Sequence, residues 1–290
     1  MPALKPDFPV YSRVTRFVSG LGLGLGLGLG VGISALCVLP ASAEESASAA
    51  AGESIEDSQT SSQASAQPSP WNWGIGVVSS RDVYADFDTR VVPFPMITYH
   101  GERFHLFGPF ARYDLTRIGS ANLALQVNPV FAGYDESDSP ILQDMDKRGY
   151  SMAGGLSLDQ SLGNWHWNIN ATHDLLGVYD GYEAAVGAEY KIKLGSLLLE
   201  PGAKAIFQSS DYVDYYYGVK GSEARSWRPE YQADSVVNQQ ISLALAHQKI
   251  AGGGLRLQMT HTRYGKAITD SPLTDRKTAL GVNLVYSRFF

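Results

Sequence analysis

Six charged side chains between Glu183 and Arg256 are the first place to look for chemistry. Glu183, Glu189, Lys191, Glu200, Lys204 and Arg256 each alternate with small or apolar neighbours, so they share one face of an extended chain and turn away from the other. Mixed signs at that spacing suit a salt-bridged interior, because unpaired charges in a narrow space are costly; an open, charge-selective passage is the other reading. Catalysis has less to draw on. The sequence contains no G-x-S-x-G, no H-E-x-x-H and nothing like a P-loop. His166 and His173 lie seven residues apart, which on one strand places them on opposite faces and separates them as metal ligands. The expectation is a protein that is not an enzyme and has no catalytic, cofactor-binding or metal residues.

Those charges need strands to hold them, and from Trp71 onward the hydrophobic period is two. Tyr182, Ala184, Val186, Ala188, Tyr190 and Ile192 alternate with Glu183, Gly187, Glu189 and Lys191. Trp165, Trp167 and Ile169 alternate with His166, Asn168 and Asn170. Ile241, Leu243 and Leu245 face away from Gln240 and Ser242. A soluble sandwich would bury the apolar set, whereas a membrane barrel turns it to lipid and keeps the polar set in the lumen. Three features favour the membrane. The strands are about ten residues long, enough to cross hydrocarbon at a tilt. Aromatics mark their ends at Trp71, Trp73, Tyr99, Trp165, Trp167, Tyr190 and Phe207. Connections of two to five residues alternate with the longer segments 81–90, 134–149, 209–234 and 265–277.

Eleven strands are visible, starting near residues 71, 91, 103, 121, 150, 165, 182, 197, 236, 254 and 279. A single-chain bacterial barrel has an even number. The alternation of short and long connections fails between 103 and 133, where Pro109 interrupts the ladder, so a short hidden strand is expected there. The fold class is therefore all-β, a transmembrane antiparallel up-and-down β-barrel of twelve strands, with ten as the alternative.

The barrel occupies 71–290. Residues 1–43 read as a cleaved signal peptide, with Lys5, Arg13 and Arg16 before an apolar run and cleavage between Ala43 and Glu44. The only cysteine, Cys37, lies within it. Residues 44–70 hold five acidic residues and one large aliphatic, Ile55, and read as a disordered periplasmic tail. Removing three cations (Lys5, Arg13, Arg16) and one anion (Asp7) takes the net charge from −6 to −8. A chain this acidic excludes nucleic acid as a partner.

Two loop clusters remain. Tyr212, Tyr215, Tyr216, Tyr217, Trp227 and Tyr231 are dense enough to bind sugars or proteins, though packing a loop over the barrel mouth is the simpler reading. The acidic run Asp135, Glu136, Asp138, Asp144 and Asp146 reads as solvated, with a divalent ion bridging lipopolysaccharide phosphates as the sharper alternative.

Four stretches carry a resemblance: RVVPFPMITYHGERFHLFG (90–108), MDKRGYSMAGGLSL (145–158), DYVDYYYGV (211–219) and DSPLTDRKTALGVNLVYSRFF (270–290). In this order and spacing they resemble the MipA/OmpV family of outer-membrane proteins over essentially Trp71–Phe290. The resemblance implies residence in the outer membrane of a Gram-negative cell, among its lipids and lipopolysaccharide. It also implies a scaffold joining a murein lytic transglycosylase to a murein synthase; a passive pore for small solutes is the alternative.

The closing strand, 279–290, sets Leu280, Val282, Leu284, Tyr286 and Phe290 on one face, and Tyr286 and Phe290 are expected to form the signal read by the barrel-insertion machinery. Arg288 departs from the apolar residue usual two places before the terminus. Replacing Phe290 with serine is predicted to lower the folded form, the species that migrates faster on unboiled gels, in outer-membrane fractions.

Overall fold

A computed structural model describes residues 70–289; the expected signal peptide with its expected Ala43–Glu44 junction, residues 44–69 and Phe290 lie outside the described residues. The described residues form thirteen antiparallel strand segments: β1 (Trp71–Ser80), β2 (Arg90–His100), β3 (Phe104–Phe107), β4 (Phe110–Ile118), β5 (Ala121–Val130), β6 (Ser151–Leu162), β7 (Trp165–Asp174), β8 (Tyr182–Tyr190), β9 (Ile192–Leu194), β10 (Leu197–Gln208), β11 (Val236–Ile250), β12 (Gly253–Arg263) and β13 (Thr278–Phe289). Each pairs with its neighbours, and β13 pairs with β1 from Asn72↔Phe289 to Ser80↔Gly281, which closes the sheet into a barrel.

β8 and β9 are one stave. They pair with β10 in a single register, Gly202↔Glu189 above the break and Leu199↔Ile192 below it. That register sets Tyr190 opposite Pro201, which has no N–H to give, and the ladder lapses for a residue. Twelve staves result. The hidden strand is also present: the stretch beginning near residue 103 is two strands, folded back at Gly108–Pro109, where Gly108 takes φ +55°.

Exposure decides between the soluble and membrane readings. Ile169, Val186 and Ile241 are 54%, 47% and 61% exposed, and the other apolar residues of their alternating sets also point outward. Asn238, Gln240, Thr172, Ser157 and Glu200 are buried inside. No soluble fold leaves a continuous apolar belt outward around a polar interior.

The two-residue turns at 119–120, 163–164, 195–196 and 251–252, and the three-residue turn 101–103, gather at the rim that holds both ends of the described chain, the periplasmic rim. Aromatic rings meet along it: Trp71 with Tyr99 at 4.7 Å, Trp165 with Tyr190 at 4.9 Å and Trp73 with Tyr286 at 6.4 Å. Tyr286 also donates its hydroxyl to the Ala251 carbonyl at 2.9 Å. Arg288 is exposed beside Gly252, at the last rungs of the barrel, where a guanidinium reaches headgroup and water. Phe207 marks the opposite, external rim, where its ring lies 5.7 Å from that of Tyr182.

Close strand packing makes one glycine critical. A Cβ on Gly155 would lie 1.9 Å from the Ala171 carbonyl oxygen on β7, with only backbone to yield. Gly155→Val is predicted to abolish the fast-migrating folded form, whereas Leu156→Val, on the lipid face, leaves it near the parental level.

Candidate functional site

Inside the barrel the polar residues converge on hydrogen-bonded networks. Arg112 on β4 donates to Asp114 at 2.8 Å, to Ser157 at 3.1 Å and to Asp159 at 2.5 Å. Asp159 also accepts from Asn168 at 2.7 Å, and His105 contacts Asp114 at 3.2 Å. Across the lumen Arg256 is paired with the buried Glu200, and Gln208 bridges Glu183 to Asn238. One guanidinium between two carboxylates satisfies charges that lie away from bulk water.

These side chains surround a cavity of about 360 Å³ that is lined, among others, by Arg112, Asp114, Asp159, His166, Glu183, Glu189 and Lys204. Of the six charges read from the sequence, Glu183, Glu189 and Lys204 line it, and Glu200 and Arg256 form the separate pair. Lys191 stands exposed at the break between β8 and β9 and does not line the cavity. Sequence reading missed Arg112, Asp114 and Asp159. Their alternation with Tyr113 and Leu158 carried the same signal as the six, diluted by the short β3–β4 hairpin.

One arrangement resembles a nucleophile–base–acid series: Ser161 Oγ lies 3.2 Å from His166 Nδ1, and His166 Nε2 lies 3.7 Å from Asp159. The second distance is too long for a hydrogen bond, and Asp159 is engaged by Arg112 and Asn168 instead. Ser161 lies one residue before the end of β6, paired with His166 on β7 just before the turn at 163–164. His173 faces outward, away from His166. Among the described residues no three of His, Cys, Asp and Glu gather closely enough to hold a metal ion.

The external mouth is filled by loops. Segments 81–89, 131–150, 175–181, 209–235 and 264–277 share one buried apolar core that includes Val83, Tyr84, Phe87, Tyr134, Leu142 and Tyr179. At its centre is helix α1 (Ser210–Tyr217), whose Tyr212, Tyr216 and Tyr217 are buried there, with Tyr215 packed against it. Tyr84 stacks on Tyr217 at 5.4 Å and donates its hydroxyl to the Tyr216 carbonyl at 3.0 Å. Trp227 stays outside, 53% exposed. Burial pushes the Tyr84, Tyr212 and Tyr217 hydroxyls well above their usual pKa, so they stay neutral.

Two arginines lock this cap. Arg148 makes a two-pronged pair with Glu223 at 2.9 and 2.8 Å, both side chains almost fully buried, and donates to the Tyr215 carbonyl at 2.7 Å. Arg228 donates to the carbonyls of Ile141 at 2.5 Å, Gln143 at 2.9 Å and Glu223 at 2.7 Å. The acidic run lies on the more exposed surface of the cap: Asp135 caps a 3₁₀ turn, Asp138 meets Arg90 at 2.8 Å, Asp146 meets Lys220 at 2.9 Å and Asp144 meets Arg225 at 3.6 Å.

Burial would raise the Glu223 carboxyl, but hydrogen bonds from Arg148 and from the Lys220 and Asp146 amides outweigh it and hold the pKa below the usual range. A depressed carboxylate contributes stability above its unfolded pKa, about 4.3, and loses it as pH falls through the folded value. The cap is therefore predicted to resist protease equally from pH 8 to about 5 and to loosen only below about 4. Glu223→Ala, which leaves Arg148 buried and unpaired, costs the cap about 3–5 kcal/mol. Faster cleavage within 209–235, with the barrel still folded on gels, is the expected readout.

The chain resembles known proteins over this whole barrel. The family described as MltA-interacting protein MipA matches residues 73–290. Outer membrane protein Omp26La of Vibrio anguillarum and outer membrane protein OmpV of Vibrio cholerae are each 30% identical over 203 residues, covering 69% of this chain and 79% of the relative. The MltA-interacting protein of Escherichia coli is 26% identical over 206 residues, covering 70% of this chain and 82% of that one. With the apolar belt, the polar lumen and the closed twelve-stave wall, these matches place the chain in the outer membrane as a member of the MltA-interacting protein MipA family.

Proposed function

We propose that this protein is a capped outer-membrane barrel that serves as a docking platform for murein-remodelling enzymes, a lytic transglycosylase together with a murein synthase. The observation that carries the reading is the cap. A barrel whose five external segments share one aromatic core, locked by buried Arg148 and Arg228, is built to hold shape rather than to pass solutes along its axis. The E. coli relative's name, MltA-interacting protein, supplies the partner class.

Docking needs periplasmic surface, and the turns on that rim are two or three residues long. The β4–β5 hairpin offers more. Asp114 donates its N–H to the carbonyl of Arg103, just before β3 begins, and beyond the bulge at Leu115 the residues Thr116 to Ile118 pair with β5 on one side alone. A strand edge of this kind can accept a partner's chain by backbone hydrogen bonding. The acidic segment 44–70 would provide the second contact.

Deleting 44–70 and changing Leu115 to proline and Arg117 to glutamate should together sharply reduce co-purification of a lytic transglycosylase from crosslinked cells, with the barrel still folded. Undiminished capture would overturn the reading. The rival, a passive pore, draws on the charged cavity and requires an axial exit where the cap stands. Planar-bilayer recordings separate the two: docking predicts no stable ohmic steps, and steady conductance would favour the pore.

A further inference from the structure

The wall has a window. β3 is four residues long, so on that side β2 is paired only at Thr98, Tyr99 and His100, and β5 is paired with β4 no further outward than Val127. Arg90–Met96 and Asn128–Val130 are left bordering a gap with no strand between them, along roughly 20 Å of the β2 edge.

Backbone alternation shows which groups face that gap. The His100 N–H donates toward β1, to the Pro70 carbonyl, whereas the Ile97 carbonyl accepts from Gly108 on the β3 side, so odd-numbered residues of β2 face the gap. On β6 the Met152 carbonyl accepts from Leu175 on the β7 side, so its cross-strand partner on β5, Pro129, likewise turns from β6 toward the gap. Residues 93, 95 and 129 are all proline. Three donors that would be orphaned at an unpaired edge are absent from the chemistry of the chain.

The gap is framed rather than torn. Above it, the Arg90–Asp138 ion pair and the hydrogen bond from Ser139 to the Ala85 carbonyl join the β1–β2 and β5–β6 loops; below it lies the Gly108–Pro109 turn. The lumen cavity reaches this frame. Its lining includes Leu106, Ala111 and Pro129, which alternation places on the outer face, along with the inward Phe107, Phe110 and Val130. Apart from the histidines and two neutral tyrosines, its ionisable side chains are two cations, Arg112 and Lys204, against four carboxylates, Asp114, Asp159, Glu183 and Glu189.

We propose that this cavity binds a single-chain amphiphile with a cationic head group, which enters sideways from the outer leaflet through the window between β2 and β5. The chain lies along Phe107, Phe110 and Val130, and the excess of carboxylates selects a cationic head over an anionic one. The cap closes the axial route, so the window is the way in from the external side. The inference is independent of the docking reading, since it concerns the lumen and that reading concerns the periplasmic rim.

The test uses the full mature chain in lipid nanodiscs and two photoreactive probes with the same alkyl chain and a diazirine at its end, one with an ammonium head and one with a sulfate head. Illumination followed by peptide mapping is expected to place ammonium-probe adducts on Phe107, Phe110 or Val130, with the sulfate probe about tenfold lower there. Ala111→Trp, at the outer sill of the window, should remove the lumen adducts while adducts on the lipid-facing Leu156 and Ile169 persist. Val130→Trp, which fills the inner end, should do the same and serves if the first variant does not fold. Adducts confined to lipid-facing residues, equal labelling by both heads, or lumen adducts that survive folded window variants would each overturn the proposal.

Discussion

Everything in this molecule follows from the requirement that backbone N–H and C=O groups find partners where there is no water. In hydrocarbon each unsatisfied group costs several kcal/mol, so a sheet can span only if it closes on itself. Here closure is made at β13–β1 by nine consecutive residue pairs, and the ladder continues through every stave as far as β3. Pro201 shows the tolerance of the rule: one missing donor interrupts a stave at Lys191 without changing its register on either side. At β3 the rule is met differently, by removing donors with three prolines at an edge that has no partner strand.

Closure then dictates what the interior must contain. With apolar residues committed to lipid, the alternate positions point inward, and those that carry charge must be paired or reach water. Arg112 resolves this by serving Asp114 and Asp159 at once, and Arg256 by pairing with Glu200. The cap is a different solution to the same shortage of water. It has its own apolar core and is held by guanidinium groups that satisfy backbone carbonyls: Arg228 alone supplies three, which is why an arginine can be fully buried there.

The strands were legible because period-two alternation is a local property, written into each ten-residue window. Ile169 against Asn168 and Val186 against Glu183 carry the membrane reading without any knowledge of neighbours. What could not be read was set by pairing across the chain. Arg148 and Glu223 are 75 residues apart, and nothing local distinguishes that arginine from the exposed Arg117. Tyr212, Tyr216 and Tyr217 were visible as a cluster, but their burial depends on Tyr84, Tyr134 and Tyr179 from three other loops. Pro93, Pro95 and Pro129 were equally visible, yet their meaning required the register, since a proline reads as an edge only once the missing neighbour is known. Lys191 alternates like its neighbours but sits where Pro201 breaks the ladder.

The shortness of β3 links the two ends of the barrel. Because the β3–β4 hairpin sits low in the wall, it uncovers β2 and β5 on the external side and leaves Leu115 to Ile118 of β4 uncovered on the periplasmic side. The two edges are treated differently by the sequence. The external edge, in the hydrocarbon zone, has lost three donors to proline, while the periplasmic edge keeps every N–H, because no proline occurs between Leu115 and Ile118. An edge that keeps its donors is affordable only where water or another chain can receive them. The placement of prolines thus separates an edge built to stay unpaired from one still able to pair, within a single hairpin.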